Sequence, residues 1–323
     1  MPDARPAIGL DLGGTKILAL VVASDGAVLG RALRPTPQAG AAALLEGLAG
    51  AARDAAAAAG IAVRDACGVG LGAPGPTDPE AGVLLEPPNL PADCHDLPLG
   101  ALLPPLLGAP VRVENDANAA ALGEHRFGAG RGQSDMVYVT ISTGIGGGII
   151  VEGRLVRGAG LIAGEIGHML VAPEGADLCG CGRTGCWEAI CSGTGLARQA
   201  RAAAAAGEAP ALLALAGGDV ARITPSLLLQ ATGDPAVAAI ATRAVLYNGV
   251  GLRNLLHLLS PGLIVIGGGL THAWDRLIAP AADWALGTAM HRAATACRIV
   301  PAQLGELVGG LGAAALWTGG SEG

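Results

Sequence analysis

Lysine is nearly missing from this chain: of its 20 basic residues only Lys16 is one, set against 27 Asp+Glu, for a formal net charge of −7. So acidic a balance argues against a general binder of nucleic acid or of anionic membrane. Aromatic residues are scarce too, with four Trp, two Tyr and one Phe, so the core has to be aliphatic and rich in alanine. No apolar run suits a membrane helix: the longest uncharged stretch, Asn254 to Trp274, is broken by Pro261, Gly262 and Gly267 to Gly269. The N-terminus lacks a basic start followed by an apolar run, so no secretory signal is expected and a cytoplasmic, reducing setting is. There, clustered cysteines point to metal binding before disulfides, and the chain has seven.

What is present is a chain of 323 residues, 51% hydrophobic, long enough for two domains and a sizeable core. It contains a repeat. Ile8 to Leu33 reads as strand, glycine turn, strand, turn, strand, and Met136 to Arg157 reads the same way with Glu152-Gly153 as the second turn. Between the copies the pattern predicts an alanine-rich helix over 40–59, a strand over 67–71, a Pro/Gly-rich loop, a strand over 111–114 and a helix from Asp116. After the second copy come predicted helices over 193–206, 235–259 and 274–286, a strand over 263–266 and a last helix over 307–317. Strands alternating with helices define an α/β class. With no polar linker between the copies, two tightly joined lobes are expected.

Three constellations carry chemistry. Asp11-Leu12-Gly13-Gly14-Thr15-Lys16 ends a strand, where glycine lets backbone amides approach an anion. One such turn serves equally well as a tight hairpin. A second in the matched place, Ser142 to Gly148, favours two turns holding one polyphosphate, with Asp11 serving a hydrated magnesium ion. Glu114-Asn115-Asp116 follows a short strand and opens a helix; Asp116 is either an N-cap or a general base, with Asn115 orienting the hydroxyl whose proton it takes. His168 with Cys179, Cys181 and Cys186 spells H-x10-C-x-C-x4-C, a full tetrahedral set of the structural zinc kind. The alternative is a group of free buried cysteines or a redox pair. Cys67, Cys94, Cys191 and Cys297 fall outside that spacing and are expected in apolar packing.

Together these segments resemble the ROK family of sugar kinases, and within it the bacterial glucokinases. The resemblance spans essentially the whole chain: DLGGTK (11–16), GLGAPGPTDPEAGVLLEPPNL (70–90), ENDANAAALGE (114–124), STGIGGGI (142–149), GEIGH (164–168), CGCGRTGCWE (179–188) and VIGGGL (265–270). It implies a two-lobe, actin-like (ribonuclease-H-like) ATPase fold with a zinc-bearing segment in the second lobe, ATP with magnesium, and phosphorylation of a sugar hydroxyl. By motif match Asp116 is the catalytic base, and Asn89, Asn115, Glu165, His168 and Glu188 contact the sugar. His168 also joins Cys179, Cys181 and Cys186 on zinc. Asp11, Gly13, Gly14, Thr15, Lys16, Thr143 and Gly144 belong to the phosphate side of ATP, and Gly267, Gly268 and Gly269 to the adenosine side. Ser142 stands where the family commonly has glycine.

The expected division is an N-terminal lobe over 1–116, completed by a C-terminal helix over about 306–323, and a larger lobe over 117–305. With a first strand expected at Ile8, an N-terminal helix-turn-helix like that of the family's repressors is not expected. The expected reaction is ATP-dependent phosphorylation of a hexose, glucose first, in a homodimer or homotetramer. The rivals are a kinase for N-acetylglucosamine, N-acetylmannosamine or fructose, and a sugar-sensing protein without turnover.

Overall fold

The computed structural model describes residues 5–174, 177–231 and 233–318. Three antiparallel strands open the chain, β1 (Ala7–Leu12), β2 (Lys16–Val22) and β3 (Val28–Pro35), followed by α1 (Ala41–Ala58) and β4 (Val69–Ala73). A small ribbon, β5 (Thr77–Asp78) with β6 (Val83–Leu84), and α2 (Leu99–Leu107) lead to β7 (Val111–Asn115) and α3 (Asp116–Phe127). The second meander is β8 (Met136–Ile141), β9 (Ile145–Val151) and β10 (Arg154–Leu155). Then come α4 (Trp187–Cys191), α5 (Gly193–Ala205), α6 (Pro210–Leu215), α7 (Pro225–Gln230) and α8 (Pro235–Leu259). The chain closes with β11 (Leu263–Gly267), α9 (Ala279–Thr288), α10 (His291–Ala296), β12 (Arg298–Pro301) and α11 (Val308–Thr318).

The predicted repeat takes the form of two five-stranded sheets, ordered β3-β2-β1-β4-β7 and β10-β9-β8-β11-β12. In the first, β1, β4 and β7 run parallel, so Asp11, Gly72 and Glu114 stand in one row at their C-terminal ends. Its core is aliphatic and alanine-rich, as the composition requires: Ile8, Leu10, Leu44, Leu48, Ala52, Leu71 and Leu103 are all buried. In the second unit Trp187 is fully buried, and its Nε1 donates to Asn248 Oδ1 at 2.8 Å.

The chain forms two compact units, one of residues 1–138, 148–164 and 302–323, the other of 139–147 and 165–301. The first unit therefore includes α3, which the expected boundary at residue 116 assigns to the other lobe. The reason is α11. A Cβ on Gly9 would lie 1.9 Å from Gly310 O, one on Gly70 1.8 Å from Ala313 O, and one on Gly312 1.8 Å from Ala119 O. Glycine at these positions lets α11 rest directly on the backbones of β1, β4 and α3.

A buried acid strengthens that junction. Glu124, at the end of α3, is fully buried; its Oε1 accepts from the backbone N–H groups of Gln303 (2.9 Å) and Leu304 (2.8 Å), and its Oε2 from Ala129 (2.8 Å). Hydrogen bonds to a charged acceptor contribute roughly 1.5–3 kcal/mol each. Glu124→Ala is therefore expected to lower unfolding stability by at least about 3 kcal/mol, read from urea denaturation; a loss below about 1 kcal/mol would contradict this anchoring role.

Candidate active site

In the first unit the strand ends carry the nucleotide and sugar candidates. Asp11 is half-buried at the end of β1, against the first turn of α11, where a Cβ on Gly309 would lie 2.4 Å from the Asp11 carboxyl carbon. Dehydration there pushes its pKa above the ordinary carboxylate value, while Lys16 pulls it back. The exposed turn that follows is fastened from outside: Thr36 Oγ1 donates to Gly13 O at 2.6 Å and Gln38 Nε2 to Gly14 O at 3.1 Å. A Cβ on Gly14 would sit 3.7 Å from that of Asn89, so the turn and this candidate sugar ligand are neighbours. Asn89 has φ 64°, a left-handed backbone that asparagine tolerates better than most residues.

At the end of β7 the choice between cap and base is divided between two residues. Asn115 is the N-cap of α3: its Oδ1 accepts from the N–H of Ala117 (2.9 Å) and Asn118 (3.1 Å), and its Nδ2 donates to Gly75 O (3.1 Å). Asp116 is the first helical residue, with Oδ1 accepting from its neighbour Ala117 N at 2.7 Å. The Asn115 oxygen is saturated, so a hydroxyl could be met only by its second amide N–H.

In the second unit the turn Ser142 to Gly146 is tied to the start of α5: Gly193 N donates to Ser142 O (2.7 Å) and Thr194 N to Thr143 O (3.1 Å). Gly267 ends β11, and Gly268, at φ 91°, is pressed on Ile141, where a Cβ would lie 2.5 Å from the carbonyl oxygen. Ser142, Thr143, Thr194, Gly269 and Leu270 line a mostly apolar cavity of 480 Å³, a shape suited to a nucleoside.

Beside the turn stands Glu188, whose Oε2 accepts from Ile145 N at 2.9 Å and whose Oε1 lies 3.7 Å from Cys179 Sγ. A Cβ on Gly144 would come within 2.4 Å of Oε2. Gly144→Ala thus displaces the tip of a flexible side chain and leaves the backbone alone. If Glu188 holds the sugar that the family resemblance implies, the expected result is a sugar KM raised about tenfold, the equivalent of one hydrogen bond, with Tm nearly unchanged. An unchanged KM would remove Glu188 from the sugar contacts.

The ligand atoms of His168, Cys179, Cys181 and Cys186 all lie within 4.8 Å of one another. Cys181 and Cys186 Sγ are 3.8 Å apart, and Cys179 Sγ is 3.6 Å from His168 Nδ1. Tetrahedral zinc with Zn–S near 2.3 Å and Zn–N near 2.05 Å requires edges of about 3.8 and 3.6 Å. The donor set fits. Burial pushes the Cys179 thiol up to about 12 and Cys186 upward as well, while the Arg183 backbone lowers Cys181; a divalent cation would supply the charge that makes all three thiolates. With Nδ1 toward the sulfurs, His168 Nε2 is left near Glu165, 3.8 Å from its Oε2.

Sequence reasoning missed the ionic brace beneath this loop. Asp177 Oδ1 meets Arg198 NH2 at 2.7 Å and Oδ2 meets Arg243. Burial works to raise the Asp177 pKa, but the two guanidiniums outweigh it and hold it below the usual range. Arg198 also donates to Leu178 O and Ala189 O, fastening both flanks of the cysteine run. The partners lie some twenty to seventy residues apart, and no local spacing signals them.

Two five-stranded sheets, each a strand meander extended by parallel strands, with glycine turns at the strand ends, make this an actin-like, ribonuclease-H-like phosphotransferase fold. The chain belongs to the ROK family, whose pattern it matches over residues 7–319. It is 37% identical to a glucokinase of Streptomyces coelicolor over 96% of both chains. The ROK family glucokinase of Streptomyces griseus, solved in complex with glucose and AMPPNP, is 38% identical and superposes with a TM-score of 0.79 over 98% of this chain and 100% of its own. The ROK hexokinase of Thermus thermophilus is likewise 38% identical, with a TM-score of 0.79 over 96% of this chain and 97% of its own.

Proposed function

We propose that this protein is an ATP-dependent glucokinase that makes glucose 6-phosphate with Asp116 as its general base. The carrying observation is the division of labour at the head of α3: Asn115 caps the helix, so the Asp116 carboxylate is not needed as the cap. In the reaction the sugar 6-hydroxyl oxygen bonds to the γ-phosphorus, its proton passes to Asp116, and the bond to the β–γ bridging oxygen breaks to release ADP. Asn89, Asn115, Glu165, His168 and Glu188 bind and orient the sugar. Gly13, Gly14, Thr15, Lys16, Thr143 and Gly144 offer amides, hydroxyls and one ammonium to the phosphates; Gly267 to Gly269 border the nucleoside. Asp11 would hold hydrated magnesium, which when bound neutralises phosphate charge.

Zinc on His168, Cys179, Cys181 and Cys186 is structural in this reading, since four protein donors leave no open position. It fixes the loop that carries Glu165 and Glu188. The enzyme works in the cytoplasm as a homodimer or homotetramer. ADP release across glucose, fructose, N-acetylglucosamine and N-acetylmannosamine tests the reading: kcat/KM is expected highest for glucose. A higher value for another sugar would reassign the substrate, and release with none would mark a sugar sensor.

A further inference from the structure

Glu114 has no part in that reaction, yet it precedes the base by two residues and is only 1% exposed. Its Oε1 accepts from the backbone N–H of Asn115 and from Nδ2 of Asn118, both at 3.0 Å. Its Oε2 accepts from Arg157 Nε at 2.8 Å. Asn118 is buried too, and its Oδ1 has no hydrogen-bond partner among the described residues. Turning that amide over would set its oxygen against the carboxylate, so Glu114 dictates its orientation. Arg157 opens a segment with left-handed backbone at Gly158, Leu161 and Gly164, which leads to Glu165.

We propose that Glu114 is a positioning residue for phosphoryl transfer: it locks the first turn of α3, with Asn115 and Asp116, to Arg157 and so to the start of the segment that carries Glu165. It touches no substrate. The inference rests on Asp116 being the base. A reacting group misplaced by about 1 Å loses on the order of 10²-fold in rate, so a lock on its backbone has a kinetic signature.

The test is steady-state kinetics per folded molecule, with ATP and glucose. Glu114→Gln keeps the shape and can still accept from Asn115 and Asn118, but it turns an amide donor toward the Arg157 donor. Its kcat is expected to fall at least about tenfold while the ATP KM changes less than about threefold. Arg157→Met, at a side chain 27% exposed, is expected to do the same and Arg157→Lys to recover most of the loss. The double variant Glu114→Gln/Arg157→Met should lose no more than the worse single change, because both cut one link. Should Glu114→Gln fail to fold, the Arg157 pair decides alone. Variants that melt earlier but keep wild-type kcat per folded molecule would overturn the inference and leave the kinase reading standing. A wild-type protein that releases no ADP with any sugar would overturn both.

Discussion

Asp116→Asn is expected to lose at least about 10²-fold in kcat while glucose Kd stays within a few-fold of wild type. The substitution keeps the volume and the oxygen that accepts from Ala117 N at 2.7 Å, but an amide cannot take up the hydroxyl proton. Because Asn115 provides the cap, α3 itself is not at risk and Tm should hardly move. ADP release for turnover, with calorimetry for glucose binding, separates the two effects. A variant that kept more than about a tenth of wild-type kcat would exclude general-base catalysis by this residue.

The second large effect is expected from Cys181→Ser. In the proposed reading it removes one of four zinc donors, and structural zinc sites have apparent binding energies on the order of 10 kcal/mol, so the one zinc per chain expected of the wild type should fall toward zero. Two candidate sugar ligands are tethered to this site by short stretches of chain: Glu165 is three residues from His168, and Glu188 two from Cys186. Ordering backbone costs about 1–2 kcal/mol per residue, and bound metal offsets that cost before the sugar arrives. The Arg198–Asp177–Arg243 brace fastens the same loop without metal. Mild chelation should therefore raise the glucose KM well before the protein melts, with the ATP KM changed much less. Loss of both affinities together, and only on melting, would make zinc a staple for the fold; protein purified without chelator and found free of zinc would remove the metal altogether.

How far the sequence reached depends on whether a feature is written locally. Helix α8 occupies 235–259 as predicted, because Pro235 starts it and Ser260-Pro261 ends it. By contrast no local signal predicts α6, since its first N–H groups are met by Asp234, the residue just before α8, which accepts from Ala211 at 3.1 Å and Leu212 at 2.7 Å. Helix α2 lies where the sequence predicts a Pro/Gly-rich loop, because Pro104 and Pro105 lie inside it. β12, four residues with a terminal Arg and Pro, shows no alternation and is assigned only by its parallel pairing with β11.

The site divides along the same line. The cysteine run, the glycine turns and the Asn115-Asp116 helix start are short motifs, and each was legible. Which of Asn115 and Asp116 caps the helix is a matter of side-chain direction, which only the folded structure fixes. The Glu114–Arg157 link spans 43 residues and the Glu124–Leu304 bond 180. Such buried pairings leave no periodic trace in a single chain.

The central claim is glucose phosphorylation at the 6-hydroxyl, and a coupled assay reads it directly. The protein, ATP, magnesium and glucose are incubated with glucose-6-phosphate dehydrogenase and NADP, and NADPH is compared with ADP formed. The expected result is one NADPH per ADP, abolished in step by Asp116→Asn. ADP without NADPH, or NADPH formation that survives Asp116→Asn undiminished, would contradict it.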